Sequence, residues 1–115
     1  MPTETGKDIE KAARILSEGD VVAIPTETVY GLAANAFSEE AVLKIFAVKN
    51  RPLHNPLIVH IASLDRLNEV TEHVPEVALK LFQKFSPGPL TLLLPRKNKM
   101  PSVVSAGLER IAVRI

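Results

Sequence analysis

Cysteine is absent from this chain of 115 residues. That excludes disulfides and thiolate metal sites, and it suits a reducing compartment, so a cytoplasmic location is expected. Tryptophan is absent too, and the aromatics are four Phe and one Tyr. These are few for a protein that reads single strands by stacking bases on rings. Neither sign of charge dominates: 14 Lys and Arg face 13 Asp and Glu, a balance of +1. A bulk attraction to nucleic acid is therefore excluded, and any basic site has to be local. No apolar run approaches the roughly 20 residues that cross a bilayer, so no membrane partner is expected. The opening Met1-Pro2-Thr3-Glu4-Thr5-Gly6-Lys7-Asp8 is polar and acidic, unlike a secretory signal. None of His54, His60 and His73 has HExxH-type spacing, so no protein-ligated metal is expected. There is no internal repeat.

What the chain does have is apolar content for one core. Hydrophobic residues make up 46%, far above the disordered range, and the length suits one domain, residues 1–115. Ile9, Ala12, Ala13 and Leu16 fall at i, i+3, i+4 and i+7, which predicts a helix over 7–18 with Gly19 as its stop. Residues 21–24 are short and β-branched, a buried strand that Pro25 ends because it has no N–H. Ser38 is placed to cap a helix with Glu39 and Glu40 in its first turn and Ala41, Val42, Ile45 and Phe46 inward. Pro52 disfavours helix at Arg51 and should end it.

Residues 57–61 read as a strand with Leu57, Val59 and Ile61 on one face and Ile58 and His60 on the other. Ser63 is expected to cap a short helix to about residue 70. Pro75 suits the first position of a helix to Phe85 with Ala78, Leu81, Phe82 and Phe85 inward. Ser86-Pro87-Gly88-Pro89 breaks it. Strands follow over 90–94, where Thr91 is the one polar member, and over 111–115. Between them lie Arg96-Lys97-Asn98-Lys99, read as a solvated basic loop, and a turn at Ser105-Ala106-Gly107. Alternating helices and strands imply an α/β fold, and a chain closing on strand 111–115 is expected to leave a sheet edge open.

Two stretches carry candidate chemistry. Thr26, Glu27, Thr28 and Tyr30 place three hydroxyls and a carboxylate just past a strand, before Gly31. Ligands of open α/β sheets bind at such strand ends, although threonines also serve local backbone groups in turns. Lys49-Asn50-Arg51-Pro52-Leu53-His54-Asn55-Pro56 then leads into the strand that bears His60. Cations at a helix C-terminus have an ordinary use against the helix dipole, and a strand histidine is often only a core residue. Together, however, cations, hydroxyls, an amide and an imidazole at strand ends suit a small anionic ligand.

In sequence order, Pro25-Thr26-Glu27-Thr28-Val29-Tyr30-Gly31-Leu32, Lys49-x-Arg51-Pro52-x-x-Asn55-Pro56-Leu57-Ile58-Val59-His60, Pro87-Gly88-Pro89-Leu90-Thr91 and Gly107-Leu108-x-x-Ile111-Ala112-Val113-Arg114 resemble the YrdC family, the threonylcarbamoyl-AMP synthases. The resemblance implies a twisted mixed β-sheet with flanking helices around a positive cleft. It implies nucleotidyl transfer: L-threonine, bicarbonate and ATP, with Mg²⁺, condense to threonylcarbamoyl-AMP and diphosphate. A tRNA-modification complex then moves the threonylcarbamoyl group to tRNA. Carried over by position, Lys49 and Arg51 act on the nucleotide phosphates and are the catalytic pair. Asn55 contacts the nucleotide, and Thr28, His60 and Arg114 contact L-threonine. Arg110 stands where the family usually has Thr or Ser beside the nucleotide. Such chemistry needs cations and positioning rather than a nucleophilic side chain.

Family sequences continue with a Pro-x-His-Pro segment, a helix and a Pro-Ser-Ala-Asn motif. The expectation here is one wall of the cleft, incomplete at the C-terminus and prone to self-association. A second reading is a double-stranded RNA-binding module using Lys49, Arg51, Arg96, Lys97 and Lys99.

Overall fold

The computed structural model describes residues 8–25 and 30–115. Helix α1, Ile9–Ser17, is capped by Asp8, whose carboxylate accepts from the Lys11 N–H at 3.1 Å. Its predicted stripe is only partly used: Ile9 is 83% exposed, whereas Leu16 faces a cleft.

Strand β1, Val22–Pro25, pairs antiparallel with β2, Tyr30–Ala33, from Val22↔Ala33 to Pro25↔Tyr30. β2 was not expected. Its four residues contain a glycine and no alternation, so it depends on the partner that β1 supplies.

Helix α2, Glu39–Lys49, starts as the sequence predicts, with the Ser38 hydroxyl accepting from the Ala41 N–H at 3.2 Å. Its buried residues are Ala41, Val42, Ile45 and Phe46, the face the spacing predicts. It ends at Lys49, two residues before Arg51. Asn50 takes a left-handed φ of 50°, and the Arg51 N–H reaches back to the Phe46 carbonyl at 2.9 Å. Asn tolerates that conformation better than most residues, and this closure satisfies carbonyls the helix end leaves open. Pro52 then forbids resumption.

Strand β3 is Ile58–His60. The next helix differs from expectation. It opens as a 3-10 turn, Leu64–Arg66, before α3, Leu67–Val70, and Ser63 caps no backbone group. The Ser63 hydroxyl instead donates to the Asp65 carboxylate. Asp65 is thereby held below the usual carboxylate range, with its own backbone N–H and the Arg66 charge assisting. Helix α4, Glu76–Phe85, has Pro75 as its extended N-cap rather than its first helical residue. The Pro75 φ of −61° fits either position, but its ψ of 150° is extended. Of its predicted inward face, Ala78 and Phe82 are buried, while Phe85 is 52% exposed.

Strand β4 is Thr91–Pro95, one residue later than predicted. The segment after it is not simply solvated. The Arg96 N–H bonds the Glu109 carbonyl and the Lys97 N–H bonds that of Val70. A second 3-10 turn, Ser102–Ser105, leads into Ala106 and Gly107, both at positive φ. The buried Ser105 hydroxyl lies 2.7 Å from the Leu108 carbonyl and ties that turn to the start of strand β5, Arg110–Arg114.

β3, β5 and β4 form a mixed sheet in that order, parallel between β3 and β5 and antiparallel between β4 and β5. β5 is therefore the middle strand, paired on both sides, and not the open edge expected from its place in the sequence. Below the sheet, Val59, Leu94, Ile111 and Val113 pack with Phe46, Leu67, Val70, Phe82, Met100 and Val104 into one core. Among the described residues no helix is long and apolar enough to cross a membrane.

A candidate anion-binding cleft

Alternation along the strands settles which side chains face away from the core. In register, Ile58 stands beside Ala112, His60 beside Arg114, Thr91 beside Arg114 and Leu93 beside Ala112. His60, Arg114 and Thr91 thus form one row across the open face of the sheet, one residue from each strand. The Arg114 Nε–H donates to the Thr91 hydroxyl at 2.9 Å. Thr91 and Arg114 are half-buried and His60 is exposed.

A cleft of about 760 Å³ opens beside this row. Leu16, Ile24 and Leu32 supply an apolar side, and Lys49, Arg51 and His60 supply polar groups. Arg66 and Glu69 line it too and form an ion pair at 3.1 Å. Among the described residues, three cations face one carboxylate there, a balance that suits an anionic ligand.

Lys49 is exposed on the last turn of α2. Arg51 is more constrained. Its Nη2 donates to the Pro56 carbonyl at 2.7 Å, and its Nε lies 3.4 Å from the Asn55 carbonyl. One side of the guanidinium braces the two-proline turn, which places Asn55 near its bearer. Arg's planar fork suits that double task better than Lys would.

The structure does not bring every candidate together. Asn55, Arg110 and Arg114 stand outside the lining of the cleft, although Arg114 adjoins its His60. Arg110 is exposed opposite Pro95, about 13 Å along β5 from Arg114 at the usual strand rise. Thr28, with Thr26 and Glu27, lies outside the described residues. Arg66 was missed because Leu64-Asp65-Arg66-Leu67 carries no recognisable signal. Thr91 was visible as a polar residue in an apolar strand, but its partner was not.

Arg96 and Lys97 are engaged elsewhere. The Arg96 Nη1 donates to the Met100 carbonyl at 3.0 Å, and the Lys97 ammonium donates to that of Asn68. Among the described residues, no three His, Asp or Glu side chains gather into a metal cage.

A family model for Sua5, YciO and YrdC proteins, described as telomere recombination, matches residues 14–115. The chain belongs to that family. It is 51% identical over 107 residues to a threonylcarbamoyl-AMP synthase of Pyrococcus abyssi, covering 93% of this chain and 32% of that protein. It is 52% identical over 108 residues to the enzyme of that name from Bacillus subtilis, covering 93% and 31%. The crystal structure of P. abyssi Sua5 complexed with L-threonine superposes with a TM-score of 0.90, at 51% identity over 93% of this chain and 32% of that one. The chain thus spans about a third of the length of these relatives. The mixed α/β sheet expected from the resemblance is the fold observed.

Proposed function

We propose that this chain forms a substrate-binding wall of a cytoplasmic threonylcarbamoyl-AMP synthase. The reaction condenses L-threonine, bicarbonate and ATP to threonylcarbamoyl-AMP and diphosphate, for delivery to tRNA by a modification complex. The observation that carries the reading is the row His60–Arg114 on the open sheet face, adjoining a cleft that also holds Lys49 and Arg51. In this reading the amino-acid site and the phosphate site are neighbours, and the chain's 51–52% identity to enzymes named for this product supports it.

In this reading Arg114 takes the L-threonine carboxylate, a role its planar fork suits. His60 and Thr28 complete the amino-acid site. The carbamate oxygen of carboxylated L-threonine attacks the α-phosphorus and diphosphate leaves. Lys49 and Arg51 stabilise the charge that develops on the transferring phosphate and on the leaving group. Asn55, in the turn that Arg51 braces, orients the nucleotide, whereas Arg110 stands too far along β5 to join it in this arrangement. Mg²⁺ fits best as part of the ATP complex, where it would neutralise phosphate charge, since the described residues form no cage for it. The cleft's main contribution is to hold the two reactants in line.

Mass spectrometry of a reaction containing the chain, L-threonine, bicarbonate, ATP and Mg²⁺ tests this. L-threonine binding by the chain is expected in calorimetry, and any threonylcarbamoyl-AMP formed should vanish in the double variant Lys49→Ala/Arg51→Ala. Folded chain that makes no product and binds no L-threonine in calorimetry would overturn the reading. Double-stranded RNA binding would instead fall steeply with salt and ignore L-threonine. That reading is disfavoured because Arg96 and Lys97 spend donors on backbone carbonyls.

A further inference from the structure

We propose that Thr91 is a positioning residue that sets the plane of the Arg114 guanidinium for a ligand carboxylate. The proposal rests on the amino-acid site described above. Three observations carry it. First, Thr91 and Arg114 are directly opposite in the β4–β5 register, so their side chains leave the same face as neighbours. Second, the Arg114 Nε–H donates to the Thr91 hydroxyl at 2.9 Å. Third, the other open-face residues of β4 are Leu93 and Pro95, so Thr91 is the one hydroxyl that β4 itself puts on that face. Packing gives no reason for a hydroxyl here, because Val is as good a strand former and nearly the same shape.

The consequence follows from the shape of arginine. The guanidinium is planar, and its long stem otherwise samples many rotamers, which a ligand would have to freeze. The bond from Nε narrows the orientations the group can take relative to the sheet. The edge carrying the two terminal nitrogens then becomes the edge that meets a carboxylate, with His60 on the neighbouring strand bounding the site. Preorganisation of this kind lowers the ordering cost of binding. Thr91 itself touches no substrate in this account.

The test uses the full chain with Thr91→Val, Thr91→Ser and Arg114→Lys. Nitrogen-15 NMR reads solvent exchange of the Arg114 Nε–H, assigned by its absence in Arg114→Lys. Slow exchange is expected in the parent and in Thr91→Ser, and fast exchange in Thr91→Val. Calorimetric affinity for L-threonine should fall about tenfold in Thr91→Val, as expected for a lost hydrogen bond to a charged group. It should recover in Thr91→Ser, while AMP affinity and melting temperature stay unchanged. Unaltered Nε–H exchange in Thr91→Val overturns the role of Thr91. Equal L-threonine affinity in Thr91→Val and parent overturns it as well. A parent that binds no L-threonine overturns the amino-acid site itself, and the NMR arm separates that outcome from the first.

Discussion

On one face of the three-stranded sheet, Val59, Leu94, Ile111 and Val113 are at most 5% exposed; on the other, Ile58 and Leu93 are 42% and 64% exposed. The same three strands build both. The inner residues pack against α2, α3 and α4, and their value is the apolar area they remove from water. The outer residues include Arg110, Arg114, His60 and Thr91, whose polar groups stand on the open face. Strand alternation separates the two roles residue by residue. A substitution on one face should therefore leave the other function nearly intact.

The largest expected effect lies on the sealed face. Phe82 is 1% exposed in the core, and Phe82→Ala should cost about 3–5 kcal/mol in denaturant unfolding. Leu93→Ala on the open face should stay within about 0.5 kcal/mol of the parent. Equal costs would break the comparison and mean that the open face is covered.

Next in size is Arg114→Ala. Loss of a charge-assisted contact should weaken L-threonine binding at least about tenfold in calorimetry, with little change in the melting midpoint. A large drop in stability with unchanged binding would move Arg114 into the structural class.

A smaller effect is expected at the end of α2, where the cleft cations begin. Asn50→Ala places a Cβ without a local polar partner at φ 50° and should cost about 1 kcal/mol. Asn50→Gly should be near neutral, since glycine adopts that conformation without strain. Thermal unfolding of the pair checks it.

The smallest effect is at Asp65. The Ser63 hydroxyl holds the folded carboxyl below its usual range, so the folded state binds that proton more weakly than the unfolded state. Its stabilisation is present above the unfolded pKa and is lost as pH falls through the folded one. Ser63→Ala should raise the Asp65 pKa toward the ordinary value in an NMR titration and flatten that slope.

Much of the fold was legible in particular residues. Ser38 and the Ala41–Val42–Ile45–Phe46 spacing specified α2, and residues 57–61 declared which side of β3 carries His60. These are local signals, set by caps and by periods of 3.6 and 2. β2 was not legible, because Tyr30-Gly31-Leu32-Ala33 has no period of its own and takes strand form from pairing with β1. The candidate site was legible through Lys49, Arg51 and His60. Its geometry was not: that Arg51 braces the 52–56 turn, that Arg66 joins the cleft and that Arg110 stands apart all depend on where the chain returns.

The sequence alone therefore determined the family, the cap and inward face of α2 and the two sides of β3, because each rests on nearby residues. Tertiary structure decided that β5 is central rather than an edge, and so placed Arg114 between His60 and Thr91. That row joins residues 60, 91 and 114. Non-local hydrogen bonding between β3, β5 and β4 sets their register, and no local preference could have specified it.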